Sequence, residues 1–361
     1  MISAHQPTHR VRTSAMLLAA ASLSLFSLAA SCKSDPKPNP GLGGTAATDS
    51  KAVMLDAVAV SQLRERSLAM LSEATKSDSA EMRANAVEAL GAVPARLAPV
   101  LPRMLADTNP GVRAVAAKVA GRTKQTQCAA QLTALTGDSV TFVRAAAIYA
   151  LVRLGQPVDQ TPLAQMLFSP DPVVRAEAAY FIGEIGSKSA LPMVKEASAR
   201  GMPRVDPAIA RKVQLQIAEA LVKLGDDGAV QEIRAGLYPS QEKDYENAAL
   251  AAQILGQLGD KASGDQLIYI TAYKEGGTQK LPAEVRLAAA SALARLGNDR
   301  GSFIADEYAA STLAPLRAQT AFVYGSTGRL ENLSKLKLLL EDKDPLVRVA
   351  AAAAVVRLAE K

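Results

Sequence analysis

The sequence is poor in the residues that most catalytic sites use. It has two histidines, His5 and His9, both ahead of the first apolar run, no Trp, and 4% aromatic residues in a chain of 361. If that run is a cleaved signal, the mature chain has no histidine, which excludes Ser-His-Asp and Cys-His pairs and histidine-ligated metals. Two cysteines cannot build a disulfide framework or a four-thiolate zinc site. We therefore predict a protein that is not an enzyme and that holds no metal and no cofactor.

The first 31 residues have the pattern of an export signal. Arg10 and Arg12 precede an uncharged stretch of 16 residues, AMLLAAASLSLFSLAA, which is short for a membrane span and typical of a signal peptide. The stretch ends in LAASC at Cys32, and this resembles the lipobox of bacterial lipoproteins, although Ala29 stands where that family usually has Leu. The resemblance implies that residues 1–31 are removed and that Cys32 is lipidated. The alternative is an ordinary secretory signal with an incidental cysteine.

The segment after the cysteine predicts a tether. Residues 32–50 are rich in Pro, Gly and small polar residues and contain nothing that forms a core, as in a flexible linker. Lys33 follows the cysteine, whereas lipoproteins kept at the inner membrane have Asp there. The resemblance therefore implies a lipid-anchored protein of the cell envelope, at the outer membrane and facing the periplasm.

Residues 51–361 form the third predicted segment and contain a repeat. A Val-Arg pair or a close variant recurs, with successive arginines 30, 31, 31, 111, 31 and 31 residues apart. The long gap holds two degenerate copies centred on Gln214 and Ala248, because a Gly follows each of them after eleven residues, as it does after four of the arginines. The repeat therefore has nine units. The arginines are Arg83, Arg113, Arg144, Arg175, Arg286, Arg317 and Arg348.

Each unit has the pattern of a helix pair. Asp171-Pro172 and its equivalents place an N-cap and then Pro at the first helical position, and apolar residues follow at helical spacing until a C-cap glycine such as Gly186. A second helix completes the unit. This pattern resembles the HEAT-like repeats, in particular the short subclass first described in phycobilin lyases, over about 78–361. It implies an all-α, right-handed α-solenoid of about nine helix pairs, with residues 51–76 as an N-terminal capping helix.

The repeated arginines suggest either a nucleic-acid track or a structural ladder. Without the signal peptide, which carries Arg10 and Arg12, the chain has 39 basic and 35 acidic residues, too balanced a charge for a nucleic-acid partner. In HEAT-like families this arginine usually pairs with an acid or a carbonyl of a neighbouring repeat. We therefore predict that the seven arginines form a structural ladder.

The irregular middle of the chain predicts a partner-binding edge. The steps there are 39, 34 and 38 residues, and the additional residues fall in 198–207, 238–246 and 273–283. Insertions in a solenoid map to one edge, and tyrosine is favoured at interfaces. The candidates are Tyr238, Tyr245, Tyr269, Tyr273 and Tyr308. The alternative, that these rings fill gaps between degenerate repeats, remains open.

These patterns are compatible with three functions. The first is an envelope-anchored scaffold or adaptor that docks another envelope protein, with the membrane reached through the N-terminal lipid. The second, by analogy with the phycobilin-lyase relatives, is a lyase-like protein that handles a cofactor or chromophore, and analogy of fold alone is weak support. The third is a structural spacer in which the repeats serve only as length.

Overall fold

A computed structural model describes residues 55–272, 274–275, 278–279, 281–298 and 300–360. The predicted signal peptide, Cys32 and linker lie outside the described residues, and so does Tyr273. Within them the fold is an all-α solenoid, which confirms the predicted fold class. Strands are limited to a two-residue pair, β1 (Lys274–Glu275) and β2 (Thr278–Gln279), which is antiparallel with Glu275 opposite Thr278.

Each repeat arginine or its equivalent lies in one of nine helices, which we call the inner helices. Two of them, α11 and α13, contain Gln214 and Ala248, so the structure bears out both degenerate units. The inner helices are α2 (Ala80–Leu90), α5 (Pro110–Arg122), α7 (Thr141–Arg153), α9 (Pro172–Ile185), α11 (Pro207–Lys223), α13 (Tyr245–Leu258), α15 (Ala283–Arg295), α17 (Ala314–Ser326) and α19 (Pro345–Ala359).

Shorter outer helices alternate with the inner ones. Several of them are preceded by one turn of 3-10 helix, such as Thr126–Cys128 before α6. The first unit has two short pieces in place of one outer helix. The outer helices are α1 (Ala57–Ala74), α3 (Pro94–Leu97), α4 (Leu101–Leu105), α6 (Ala129–Leu135), α8 (Thr161–Leu167), α10 (Leu191–Arg200), α12 (Val230–Ala235), α14 (Gly264–Ala272), α16 (Arg300–Asp306) and α18 (Asn332–Leu339).

The helix ends follow from local sequence. The Asp171 carboxylate accepts hydrogen bonds from the backbone N–H groups of Val173 and Val174 at the start of α9, with Pro172 in the first turn. These bonds satisfy two donors that have no partner within the helix. At the other end Gly186 has φ of 73°, the left-handed conformation in which a residue with a Cβ is strained. The N-cap at Asp171 and the C-cap at Gly186 were both predicted from the sequence.

Neighbouring inner helices approach closely at small residues. A Cβ placed on Gly121 of α5 would lie 2.6 Å from Cα of Ala150 on α7, and one on Gly183 of α9 would lie 2.9 Å from Cα of Ala220 on α11. In each pair the glycine lies eight residues after the repeat position and the alanine six residues after it. This constant register shows that consecutive inner helices run parallel, as stacked repeats require. The remaining pairs with this register are Gly256–Ala292 and Gly325–Ala354.

The solenoid closes on itself. Outer helices such as α16 and α18 each pack against two consecutive inner helices, and α1 packs in the same way against α19 and α2, the last and the first. Arg66 of α1 forms an ion pair with Glu341 at 2.6 Å, and Arg64 Nε donates to Glu360 at 2.7 Å. The helix predicted within residues 51–76 was expected to cap the N-terminal end of an open solenoid. In the structure this helix, α1, packs against α19 and completes the last helix pair. The result is a ring of nine helix pairs in place of an open stack.

Candidate functional site

Three of the seven repeat arginines join consecutive units in the same way. In three units the guanidinium donates two hydrogen bonds to the aspartate that precedes the next inner helix, while its Nη1 donates to the carbonyl six residues before the arginine. The Arg317 guanidinium holds the pKa of Asp342 below its usual value. Paired, charge-assisted bonds of this kind are strong and directional. The three pairs are Arg83–Asp107, Arg113–Asp138 and Arg317–Asp342.

The other four arginines contact carbonyls or a glutamate. Arg144 and Arg348 donate to the carbonyl six residues earlier, at 2.7 Å in both cases. Arg175 donates to the carbonyls of Ser169 and Gly201. Arg286 pairs with Glu307 at 2.8 Å and also donates to the Tyr308 hydroxyl. Each of the seven is thus held by a neighbouring group of the chain.

Two of the candidate tyrosines are well exposed. Tyr238 is 48% exposed in the connection that follows α12, and Tyr269 is 50% exposed on α14. Tyr245 and Tyr308 are both half-buried. Tyr245 is the first residue of α13, and the Tyr308 ring lies 5.4 Å from the Arg286 guanidinium. We call Tyr238, Tyr245 and Tyr269 the tyrosine surface. The connections into parallel inner helices lie on one face of the ring, so two of the predicted insertions, at 198–207 and 238–246, share that face.

The ring encloses a central cavity of about 580 Å³ that sequence reasoning missed. Side chains reach it from two positions of the unit, five and nine residues after the repeat arginine, which lie one helical turn apart on one face. Lys118 and Arg122 on α5 and Tyr180 and Glu184 on α9 occupy this pair of positions. The charged lining residues are Glu88, Lys118, Arg122, Glu184, Arg295 and Arg357.

On one side of the cavity the charges are paired. Glu88 binds Arg122 at 2.5 Å and Lys118 at 3.6 Å. Burial by itself raises the pKa of Glu88, but the two cations outweigh burial and hold it below its usual value. Lys223 of α11 binds Glu184 at 2.6 Å and Glu219 at 2.5 Å. The two glutamates that line the cavity therefore each have a cation as a neighbour.

On the other side two guanidinium groups share one aromatic ring. Arg295 of α15 lies 5.4 Å and Arg357 of α19 lies 4.7 Å from the ring centroid of Phe322 on α17. In the described part of the chain neither guanidinium forms an ion pair with a carboxylate, and Arg357 donates only a long bond, 3.4 Å, to Ser326. Burial and, second, repulsion from Arg295 lower the pKa of Arg357 to about 10. Arg357 is therefore still charged at neutral pH.

Cys128 lies in the core. Cys128 is 1% exposed, and burial raises the pKa of its thiol, so it packs as a small apolar residue. Among the described residues, no set of three or more His, Cys, Asp and Glu side chains is placed to hold a metal ion. None of the described helices has the length and apolarity that crossing a bilayer requires.

Comparison with known families identifies the repeat. The family model for HEAT repeats matches residues 97–169 and 143–205, and that for the single HEAT repeat matches 333–361. The chain therefore contains HEAT repeats in these segments. The resemblance drawn from the sequence covered about 78–361, whereas the family models do not match the irregular middle of the chain. A search of curated proteins found no match.

The matches among solved structures have low identity and low TM-scores. Human deoxyhypusine hydroxylase in complex with glycerol is 15% identical, with a TM-score of 0.34, and the alignment covers 82% of this chain and 98% of that one. The complex of CpcE and CpcF of the phycocyanin lyase from Nostoc sp. PCC7120 is 18% identical, with a TM-score of 0.37 and coverage of 72% and 94%.

Proposed function

We propose that this protein is a non-enzymatic scaffold of a bacterial cell envelope that docks another envelope protein through the tyrosine surface. A lipid on Cys32 holds it at the membrane, and the 32–50 linker gives the ring some distance from the lipid. HEAT repeats are building blocks of extended binding surfaces. The absence of histidine from the chain beyond residue 9 supports a binding role over acid–base catalysis at neutral pH.

One observation carries the choice of surface. Among the described residues, Tyr238 and Tyr269 are two of eight large apolar side chains that are well exposed, and they belong to the units that depart from the regular spacing. Tyrosine combines a large apolar ring with a polar tip and often anchors interfaces. About half of each of these two side chains is open to solvent, and both lie in or next to the irregular connections, which favours contact with a partner.

Photo-crosslinking in intact cells tests the docking surface. A photoreactive amino acid at position 238 or 269 is expected to give the same crosslinked partner, identified by mass spectrometry. Phe303 and Leu338 provide matched controls because they are 70% and 75% exposed on outer helices of units with regular spacing. Photoreactive residues at those two positions are expected to give no such product. Equal crosslinking from all four positions, or none from 238 and 269, contradicts the proposal.

Replacement of the cysteine tests the anchor. Cys32→Ala removes the only proposed lipid site, so we expect the protein to move from the membrane fraction to the soluble periplasmic fraction, since stable anchoring needs the acyl chains. Cys128→Ala is the matched control, because it removes the other cysteine and leaves the proposed lipid site intact. A Cys32→Ala protein that stays with the membrane shows that the anchor lies elsewhere.

A further inference from the structure

The central cavity has the dimensions of a ligand site. Its volume of about 580 Å³ lies within the roughly 300–1,000 Å³ typical of small-molecule pockets. Residues of α2, α5, α9, α13, α15, α17 and α19 line it, so a ligand there contacts units that are far apart in sequence. This site is separate from the tyrosine surface, and the inference drawn from it does not rest on the proposed scaffold role.

The lining has more positive than negative charge. Four cations line the cavity against two carboxylates, Glu88 and Glu184, and both carboxylates already have cationic partners. The positive excess therefore lies at Arg295 and Arg357. Walls of low dielectric concentrate such a field and attract ions of opposite sign. Gln257 and Ser326, which also line the cavity, add neutral hydrogen-bonding groups.

Arg295 and Arg357 are like charges that face the same cavity beside one aromatic ring. Arg295 is exposed to the cavity, whereas Arg357 is half-buried, and burial together with repulsion from Arg295 lowers the pKa of Arg357. An anion between them would relieve this repulsion. Because a guanidinium is a planar fork of donors, it matches the oxygens of carboxylates and phosphates. The ring of Phe322 lies within cation–π distance of both groups.

Interaction with helix dipoles does not account for this arrangement. Arg295 and Arg357 lie in the last turns of α15 and α19, where a positive charge is favourable. If compensation of the dipoles determined this position, every inner helix would have a cation there. Glu184, Gln257 and Ser326 occupy the same position on α9, α13 and α17. The two arginines therefore flank a neutral position and form a local pair.

We propose that the central cavity binds a small multivalent oxyanion, such as a polyphosphate or a polycarboxylate, between Arg295 and Arg357. Arg122 faces the same space and extends the site toward α5. The ligand would bridge α15, α17 and α19 with α5, which are helices from the two ends of the chain, so binding would stabilise the closed ring.

Calorimetric titration of the purified protein in a nonionic detergent tests the site. Pyrophosphate and citrate are the two probes, and they distinguish phosphate from carboxylate chemistry. We expect saturable binding of at least one probe, weakened by added NaCl. Arg295→Gln and Arg357→Gln should each weaken it at least tenfold. Arg153→Gln is the matched control, because Arg153 holds the equivalent position on α7 but does not line the cavity; it should bind like the wild type.

Thermal unfolding without ligand separates a binding role from a structural one. Because each substitution removes one of two repelling charges, Arg295→Gln and Arg357→Gln should melt at the wild-type temperature or above it, and added probe should no longer raise it. The proposal is overturned if neither probe binds the wild type, or if Arg295→Gln and Arg357→Gln bind the probes as tightly as Arg153→Gln does. It is also overturned if these two variants unfold at a lower temperature than the wild type in the absence of a probe.

Discussion

At the scale of single residues, one buried carboxyl group stands out. Glu177 on α9 is 3% exposed, and its Oε1 has no hydrogen-bond partner. Burial and, to a smaller extent, Asp171 raise its pKa to about 9, so the group is protonated at neutral pH. Two other units have glutamine at the equivalent position, Gln216 and Gln319. A neutral side chain of this shape therefore fits the site.

Glu177→Gln should remove part of the pH dependence of stability. Because the pKa is higher in the folded than in the unfolded chain, the native state is most favoured below the unfolded value of about 4.5, and this contribution is lost as pH rises toward 9. We expect wild type and variant to melt at similar temperatures at pH 5, and the variant to melt several degrees higher at pH 8.5. Thermal unfolding followed by circular dichroism measures both.

An exposed glutamate controls for the general effect of removing a negative charge. Glu73 has a side chain that is 74% exposed and pairs only with Lys76, so Glu73→Gln should melt like the wild type at both pH values. Equal melting temperatures of wild type and Glu177→Gln at pH 8.5 would show that the Glu177 carboxyl is not buried in its neutral form.

At the scale of helices, contacts between small residues set the spacing of the ring. A Cβ on Gly325 of α17 would lie 2.7 Å from Cβ and 2.8 Å from Cα of Ala354 on α19. No rotation of a side chain relieves a contact with a backbone atom, so the two helices would have to separate. Overpacking of this kind typically destabilises a protein by about 1–3 kcal/mol.

Gly325→Ala should therefore lower the free energy of unfolding by about that amount, although alanine has the higher helix propensity. Gly264→Ala in α14 is the matched control, because no atom lies within 4 Å of the added Cβ, and it should be neutral or slightly stabilising. Denaturant titration of the two variants gives the difference. Equal stability of the two would mean that α17 and α19 are not in close contact.

Local structure was largely predictable because its causes are local. Asp171 caps α9 and Gly186 ends it, since each acts on a backbone within a few residues, and the recurring arginine marked all seven of its inner helices. The cavity was not predictable in the same way. Periodicity separates the buried side of a helix from the exposed side, but it does not show which charged residues face a common space. Arg295 is exposed and Arg357 is half-buried, although both hold the same position in the repeat. Only the curvature of the assembled ring brings them together.

At the scale of the whole molecule, the contact of α1 with α19 makes the solenoid a ring and creates the central cavity. No pattern in the sequence indicates it, because small rotations between units accumulate over nine repeats before α1 can reach α19. Leu68 and Leu71 of α1 are 1% and 0% exposed and belong to the same core cluster as Val356 of α19. The last inner helix, α19, thus packs against two outer helices, α18 and, from the other end of the chain, α1. Without this contact the cavity would be an open groove.

The distance between the two ends tests this account most directly. Spin labels at Arg66→Cys and Glu341→Cys, in a background with Cys32→Ala and Cys128→Ala, mark an ion pair that is 2.6 Å long in the ring. Pulsed electron paramagnetic resonance should give one narrow peak at short distance. In an open stack of nine inner helices spaced 8–10 Å apart, the labels would be roughly 80 Å apart. A distribution centred near that separation would contradict the closed ring, and with it the central cavity.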